Sequence, residues 1–261
     1  VERVTDFLCD GFARMGMEVS ASKGHVMASR VAIGARLESN LRARGWQLGN
    51  QRQLRALGAG LSGGRRRAAK MQRSRLRAAQ ARKRRVAMLR RLGGNTEALV
   101  RQGLNPATQY GCDIMGVSDS FLREWRRAVA KAAGTPTAGG DLLLTLAWLD
   151  LEIGSRGDPA FAAHEMPISN WARAVWHRWM DRDDLHSMHH SALYDTATAK
   201  TSVWCKVTGP AGAAIATMRR IGWQPDGAFA AKDDLGDTVD FDLDSPAAVA
   251  LRVRGSVLRW R

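Results

Sequence analysis

Cysteine is scarce in this chain, and its spacing excludes more than its number does. Cys9, Cys112 and Cys205 each stand more than ninety residues from the next, and no C-x-x-C pair occurs. That spacing rules against a zinc ribbon and against a dense disulfide framework. Reduced, buried thiols in an intracellular protein are the expectation. Long apolar runs are missing too. None approaches the roughly 20 residues that a membrane span needs, so no membrane partner is expected. The first residues, Val1-Glu2-Arg3-Val4, carry neither an initiator Met nor a signal peptide's apolar stretch, as expected of a chain cut from something longer. G-x-S-x-G, G-x-x-x-x-G-K-S/T and H-E-x-x-H are all absent, and Gly58-Ala59-Gly60 lacks the rest of a dinucleotide fingerprint. Nucleophile elbows, phosphate loops and zincin sites therefore have no support, and no small-molecule substrate is indicated.

Negative charge is missing from one stretch in particular. The chain holds 40 Lys and Arg against 25 Asp and Glu, a formal net charge of +15. Residues 1–131 carry 27 bases against 9 acids, and residues 132–261 carry 13 against 16. Between Arg65 and Leu92 there are 13 bases and no acid, and without that segment the rest is nearly balanced. The basicity belongs to one element. Closely spaced guanidinium groups repel one another unless an anion neutralises them, and the fork of Arg donors matches phosphate oxygens. RNA and DNA, met through the duplex backbone, are the expected partners. Arg65, Arg66, Arg67, Lys70, Arg73, Arg77, Arg82, Lys83, Arg84 and Arg85 are the expected contacts. A solvated helix face, a nuclear-import signal and contact with acidic lipid are the competing readings. Thirteen bases without one compensating Glu favour the anion-binding reading. The expected location is intracellular, with the nucleus a candidate.

Periodicity orders the rest. Val4, Phe7, Leu8, Phe12 and Met15 predict a helix over 3–15 that Gly16 ends. Met17–Ser20 and His25–Ser29 suggest a hairpin, residues 31–50 are ambiguous, and Leu54–Leu61 reads as strand and turn. Ser62-Gly63-Gly64 and Gly93-Gly94 bound the basic helix, whose apolar stripe is Leu76, Ala79, Val86 and Leu89. Helices are predicted over Glu97–Gly103, from near Ala107, and after Ser118 or Ser120 as N-cap. The glycine-rich run 133–141 is the linker candidate. Beyond it, helices are predicted over Leu142–Ile153, Ile168–Met180 and Gly209–Ile221. A hairpin follows over Phe229–Leu243, and a last helix opens with the N-cap and N1 chemistry of Ser245-Pro246.

The order of segments in residues 1–131 resembles a known family. Phe12-Ala13-Arg14-Met15-Gly16-Met17-Glu18-Val19-Ser20-Ala21-Ser22-Lys23 is similar to the fourth palm motif of reverse transcriptases. Leu57-Gly58 with Gly60-Leu61 resembles the hairpin that grips the primer in non-LTR retrotransposon enzymes, and Arg65–Leu92 would be the first thumb helix. Leu104 to Tyr110-Gly111 and Ser118–Ala130 look like later thumb helices. The resemblance covers about half the chain. It implies RNA-directed DNA synthesis in a parent protein, and Lys23 as the lysine placed to protonate leaving pyrophosphate. It also implies metal-binding carboxylates in motifs ahead of residue 1, the last an aromatic-x-Asp-Asp step. Magnesium is thus expected only for the intact parent polymerase, none for this fragment, which should be inactive alone.

The resulting expectation is an α+β, mainly helical fold. It comprises a palm remnant over 1–61, a basic helical thumb over 62–132, a linker over 133–141, and a Trp-rich helical module with a small β-hairpin over 142–261. Trp148, Trp171, Trp176, Trp179, Trp204, Trp223 and Trp260 read mainly as core. Asp183-Asp184 and Asp233-Asp234 read as solvated turns. His186 and His190, four apart, could share a helix face and a zinc ion, with His177, Asp181, Asp183, Asp184 and His189 nearby. Two alternatives to the retrotransposon fragment stay open: a stand-alone basic nucleic-acid-binding protein, and a metal-dependent hydrolase built on that His/Asp cluster.

Overall fold

The computed structural model describes residues 2–17, 20, 24–51, 53–56, 59–64, 67–133, 141–153 and 157–261, and helices carry most of them. The mainly helical α+β class is as expected. The N-terminal part holds α1 (Glu2–Arg14), β1 (His25–Val26), α2 (Val31–Ala43), β2 (Gly49–Asn50), β3 (Gln53–Ala56) and β4 (Ala59–Ser62). Strand β1 pairs in parallel with β2, so the hairpin expected within 16–30 is not the pairing observed. The ambiguous stretch 31–50 supplies both α2 and the partner strand. Residues 18, 19, 21–23, 57 and 58 lie outside the described residues. The hairpin expected over 54–61 is present as the antiparallel pair β3–β4.

Next come α3 (Lys70–Arg91) and the run α4 (Glu97–Leu99), a π-helical turn (Val100–Leu104) and α5 (Asn105–Gln109). The two helices expected around 97–107 are thus one continuous helical path. Then follow α6 (Cys112–Met115), α7 (Asp119–Ala133), α8 (Leu142–Ile153), α9 (Pro159–Trp176), α10 (Arg182–Ala197), a 3₁₀ turn (Val203–Lys206) and α11 (Pro210–Arg220). The C-terminal end holds β5 (Gln224–Asp226), β6 (Ala230–Lys232), β7 (Thr238–Asp240) and α12 (Pro246–Trp260). Ser245 Oγ accepts from the Ala248 N–H at 3.2 Å, the capping its sequence predicts. The expected hairpin is β6–β7, and β5 adds an antiparallel third strand.

Helix α9 is the axis of the packing. It begins at Pro159, nine residues before Ile168, and runs through Pro167. A proline inside a helix forfeits one backbone hydrogen bond. Burial of Phe161, Ile168, Trp171, Ala172 and Val175 on several sides offsets that loss. One core joins α9 to Ala211, Ala214 and Met218 of α11, to Ala231 and Val239 of the sheet, and to Val249, Val253 and Val257 of α12. A second core runs from Leu76, Ala79 and Val86 through Val100, Leu122, Trp125 and Val129 to Leu146, Leu149 and Ala163. It therefore crosses the linker expected at 133–141, whose residues 134–140 lie outside the described ones. That boundary does not separate two independently packed halves.

Buried polar contacts reinforce the crossing. Asp158, whose carboxylate is inaccessible, caps α9 through the Ala160 N–H at 2.8 Å. The same carboxylate takes a two-pronged contact from Arg126 of α7, at 3.0 and 2.8 Å, and a third from Arg261 at 3.1 Å. Arg261 also reaches Asp150 of α8 at 2.5 Å. Three segments, α7, the start of α9 and the C-terminus, meet at one carboxylate. Asp158→Asn halves its charge-assisted acceptors and leaves two guanidinium groups underpaired, so a loss of about 3–5 kcal/mol is expected. A lowered urea midpoint at unchanged slope is the readout. A midpoint equal to that of the parent would show that the node carries no stability.

Candidate nucleic-acid interface

Helix α3 forms because its Arg, Lys, Gln, Met, Leu and Ala residues lose little side-chain freedom in a helix. It starts at Lys70, later than the Ser62–Gly64 opening expected from the sequence, and Gly93 ends it in the left-handed region at φ +80. Gln72, Leu76, Ala79 and Val86 form its buried face, and α7 packs against it. Leu89, expected in that stripe, is half exposed.

The bases divide by direction. At roughly 100° per residue, Arg73, Arg77, Arg84 and Arg91 lie along one flank, and Arg82 and Arg85 on the other. Lys70, Arg73, Arg77, Arg82, Arg84 and Arg85 are all exposed, whereas Lys83 is half-buried beside the packed stripe. The run 82–85 therefore cannot face a single phosphate row. Arg75 donates to the Tyr110 carbonyl at 2.5 Å and lies over the Tyr110 ring. Among the described residues, no carboxylate is within ion-pair distance of the other α3 bases. Arg65, Arg66 and Lys23 lie outside the described residues.

Arg67 corrects the expectation. Rather than a surface phosphate contact it is an internal strut, donating Nη2 to Gln72 Oε1 and to the Gly116 carbonyl, both at 2.6 Å. Its backbone N–H donates to the Cys205 carbonyl at 3.2 Å. Gly116 is required there: its φ is +58, and a Cβ would sit 2.7 Å from Trp204 Cζ3. The guanidinium groups of Arg67 and Arg220 both lie over the Trp204 indole, at 5.5 and 4.6 Å from its centroid. Burial, and for Arg67 the neighbouring Arg220 charge, lowers both to about 10, so both stay charged at neutral pH. Among the described residues only Asp119, 3.2 Å from Arg220, forms an ion pair with either.

Arg67 and Trp204 line a groove of about 1010 Å³ between α3, the start of α7 and residues 198–206, and Arg220 reaches it only through the shared indole. One bank carries Arg73, Arg77 and Gln80; the other carries Lys200, Thr201, Ser202 and Lys206. Ser118, Ser120 and Phe121 line it at the α7 N-terminus, whose unpaired N–H groups favour anions. Glu124 is its one acid, and Gln80 donates to it at 3.2 Å. Sequence reasoning missed the second bank. The signal was faint: an acid-free run from Thr198 to Lys206 with two lysines and three hydroxyls.

The other candidates fare differently. His186 and His190 do share a face of α10, their rings stacked 6.5 Å apart. Among the described residues, no three His, Cys, Asp or Glu side chains converge in a way that would hold a metal. Among the described residues the metal-dependent hydrolase reading thus has only the His186–His190 pair behind it. Asp233 and Asp234 are not solvated turn residues. Asp233 is buried and accepts from the N–H groups of Leu235 and Asp237, both at 2.9 Å. Asp234 pairs with Arg259 at 2.6 and 2.8 Å, and the hydrogen bonds from Arg259 hold it at about 2. Of the tryptophans, Trp171, Trp204 and Trp223 are core as expected, but Trp148, Trp176 and Trp179 are exposed. Burial pushes the Cys112 thiol up to about 12. Cys205 is exposed, contrary to the buried thiols expected.

Among the described residues no helix is long and apolar enough to cross a membrane. No family model, curated protein or solved structure matches the chain.

Two histidines give the fold a defined acid response. His164 is buried, with Nδ1 2.6 Å from the Ala160 carbonyl and Nε2 accepting from Arg220 at 2.8 Å. Burial and then the Arg220 charge hold its pKa well below 6.5. His189 packs against Trp171 and is lowered to about 4, by burial first and by His186 next. Both are neutral when folded and gain protons more readily when unfolded, so stability present above pH 6.5 is lost as pH falls toward about 4. His189→Gln removes one of the two. Its urea midpoint should fall less steeply with acidity than that of the parent; parallel curves would show that His189 does not contribute.

Proposed function

We propose that this chain binds nucleic acid through the phosphate backbone, without reading sequence, as part of a reverse transcriptase of the non-LTR retrotransposon type. One observation carries the binding: α3 presents a packed face to the protein and exposes bases that no described carboxylate neutralises. Such a surface gains most from a polyanion, because each neutralised phosphate releases condensed counterions. The family part rests on the resemblance of residues 12–23 and on order. A helix ending at Gly16, the hairpin β3–β4, the basic helix and the later helices follow one another as end of palm, primer grip and thumb would. In this reading the template–primer duplex lies along the outer flank of α3, and polymerisation belongs to carboxylates and magnesium outside this sequence. A stand-alone basic nucleic-acid-binding protein would share the first half of the proposal and not the second.

Binding to a labelled RNA–DNA hybrid, measured by anisotropy across a salt series, tests the electrostatics. Neutralising about six phosphates gives a log–log slope near −5. Equal affinity at about 50 and 200 mM salt would reject phosphate contact. The quadruple change R82Q/K83Q/R84Q/R85Q should weaken binding to unrelated sequences alike and reduce the slope by about two, for the phosphates met by Arg82 and Arg85. Loss confined to one sequence would point to base readout instead. The family part is tested by the genomic reading frame ahead of Val1, where an aromatic-x-Asp-Asp step is expected within a few residues.

A further inference from the structure

We infer that the groove between α3 and residues 198–206 seats a single strand of nucleic acid, its phosphates held between Arg73 and Arg77 on one bank and Lys200 and Lys206 on the other. The inference rests on the nucleic-acid reading of α3 and extends it to a second kind of ligand and to residues from the distant half of the chain.

Four independent features point to it. Arg73, Arg77, Lys200 and Lys206 line the groove, and among the described residues none has a carboxylate partner. The one acid there, Glu124, already accepts a hydrogen bond from Gln80. Arg67, largely buried and with no carboxylate partner among the described residues, also lines it and lies over Trp204, the indole that Arg220 meets as well. Charges set in low dielectric are screened poorly and focus positive potential into the cleft above them. Hydroxyls of Ser120, Thr201 and Ser202, all exposed along the groove, add short donors of the kind that meet phosphate oxygens.

Size selects the strand. A duplex is a stiff rod with its phosphate rows on the outside, too wide to enter a cleft of about 1010 Å³. An isolated phosphate would need donors converging on one point. Here Arg73 and Arg77 stand one helical turn apart, about 6 Å along the axis, and the lysines face them across the cleft. That spacing suits successive phosphates of an extended strand. The outer flank of α3, with Arg82 and Arg85, remains free for a duplex at the same time.

Cys205 reports on the site directly, because it is an exposed free thiol on the groove lining. The intact chain is alkylated with N-ethylmaleimide, and modification of the Cys205 peptide is followed by mass spectrometry. The additions compared are an oligothymidylate, an RNA–DNA hybrid and inorganic phosphate. Oligothymidylate should slow Cys205 modification about tenfold, with a concentration dependence matching its own binding curve, and neither the hybrid nor phosphate should do so. The double variant K200Q/K206Q should lose about tenfold in single-strand affinity, with the salt slope reduced by about 1.4 for two lost phosphates. Its hybrid affinity should be unchanged, as should both affinities of Lys232→Gln on the distant sheet. Unprotected Cys205 at saturating oligothymidylate overturns the inference, as does protection by phosphate or hybrid alone. If hybrid binding persists while Cys205 stays reactive, only the groove falls. If the parent binds neither strand nor hybrid, the nucleic-acid reading of α3 falls with it.

Discussion

The buried carboxylate of Asp158 is the constraint on which the arrangement depends. Arg126 reaches it from α7, Arg261 from the C-terminus, and the first turn of α9 from its own backbone. An unpaired carboxylate in such surroundings would be costly, and so would either guanidinium without it. The shared contacts tie α7 and the C-terminal end of α12 to the start of α9. The groove beside α3 exists because those elements are held in register: one bank belongs to residue 73 and its neighbours, the other to residue 200 and its neighbours.

A second electrostatic arrangement, around Trp204, has the opposite character. Asp158 is surrounded by compensating charge, whereas Arg67 and Arg220 have, among the described residues, one partner carboxylate between them and lean on carbonyls of Gly116 and Val117. The indole supplies its negative face to both. This part of the molecule carries positive charge that the protein itself leaves largely uncompensated. The exposed bases of α3 lie directly beside it. Buried and exposed cations thus act in one direction, toward an anionic ligand, and the net charge of the whole chain is concentrated where a cleft can use it.

Much of the local structure was legible in advance because it is set by neighbours in sequence. Leu142–Ile153 is the helix its composition predicts, Ser245 caps the last helix, and Leu76, Ala79 and Val86 form the packed stripe of α3. The errors share a cause. The helix expected from Ile168 begins instead at Pro159 and runs through Pro167, because burial on several sides compensates that proline's missing N–H. Asp233 and Asp234 looked like solvated turn residues, but Arg252, Ser256 and Arg259 come from α12 to meet them. Trp176 and Trp179 have core-like spacing, yet the end of α9 leaves both on the surface.

The amino-acid order by itself determined where the charge lies, which stretches are helical and which ends are capped, since those depend on contacts within a few residues. It did not determine that Arg67 turns inward while Arg73 and Arg77 stay out, because all three have the same chemistry and nearly the same neighbours. Only the tertiary structure decided that, by bringing Gly116 and Trp204 against the start of α3. It also decided that Lys200 and Lys206 would face a helix more than a hundred residues away in the chain. Side-chain direction and cleft formation depend on contacts between remote segments, and no local pattern encodes them.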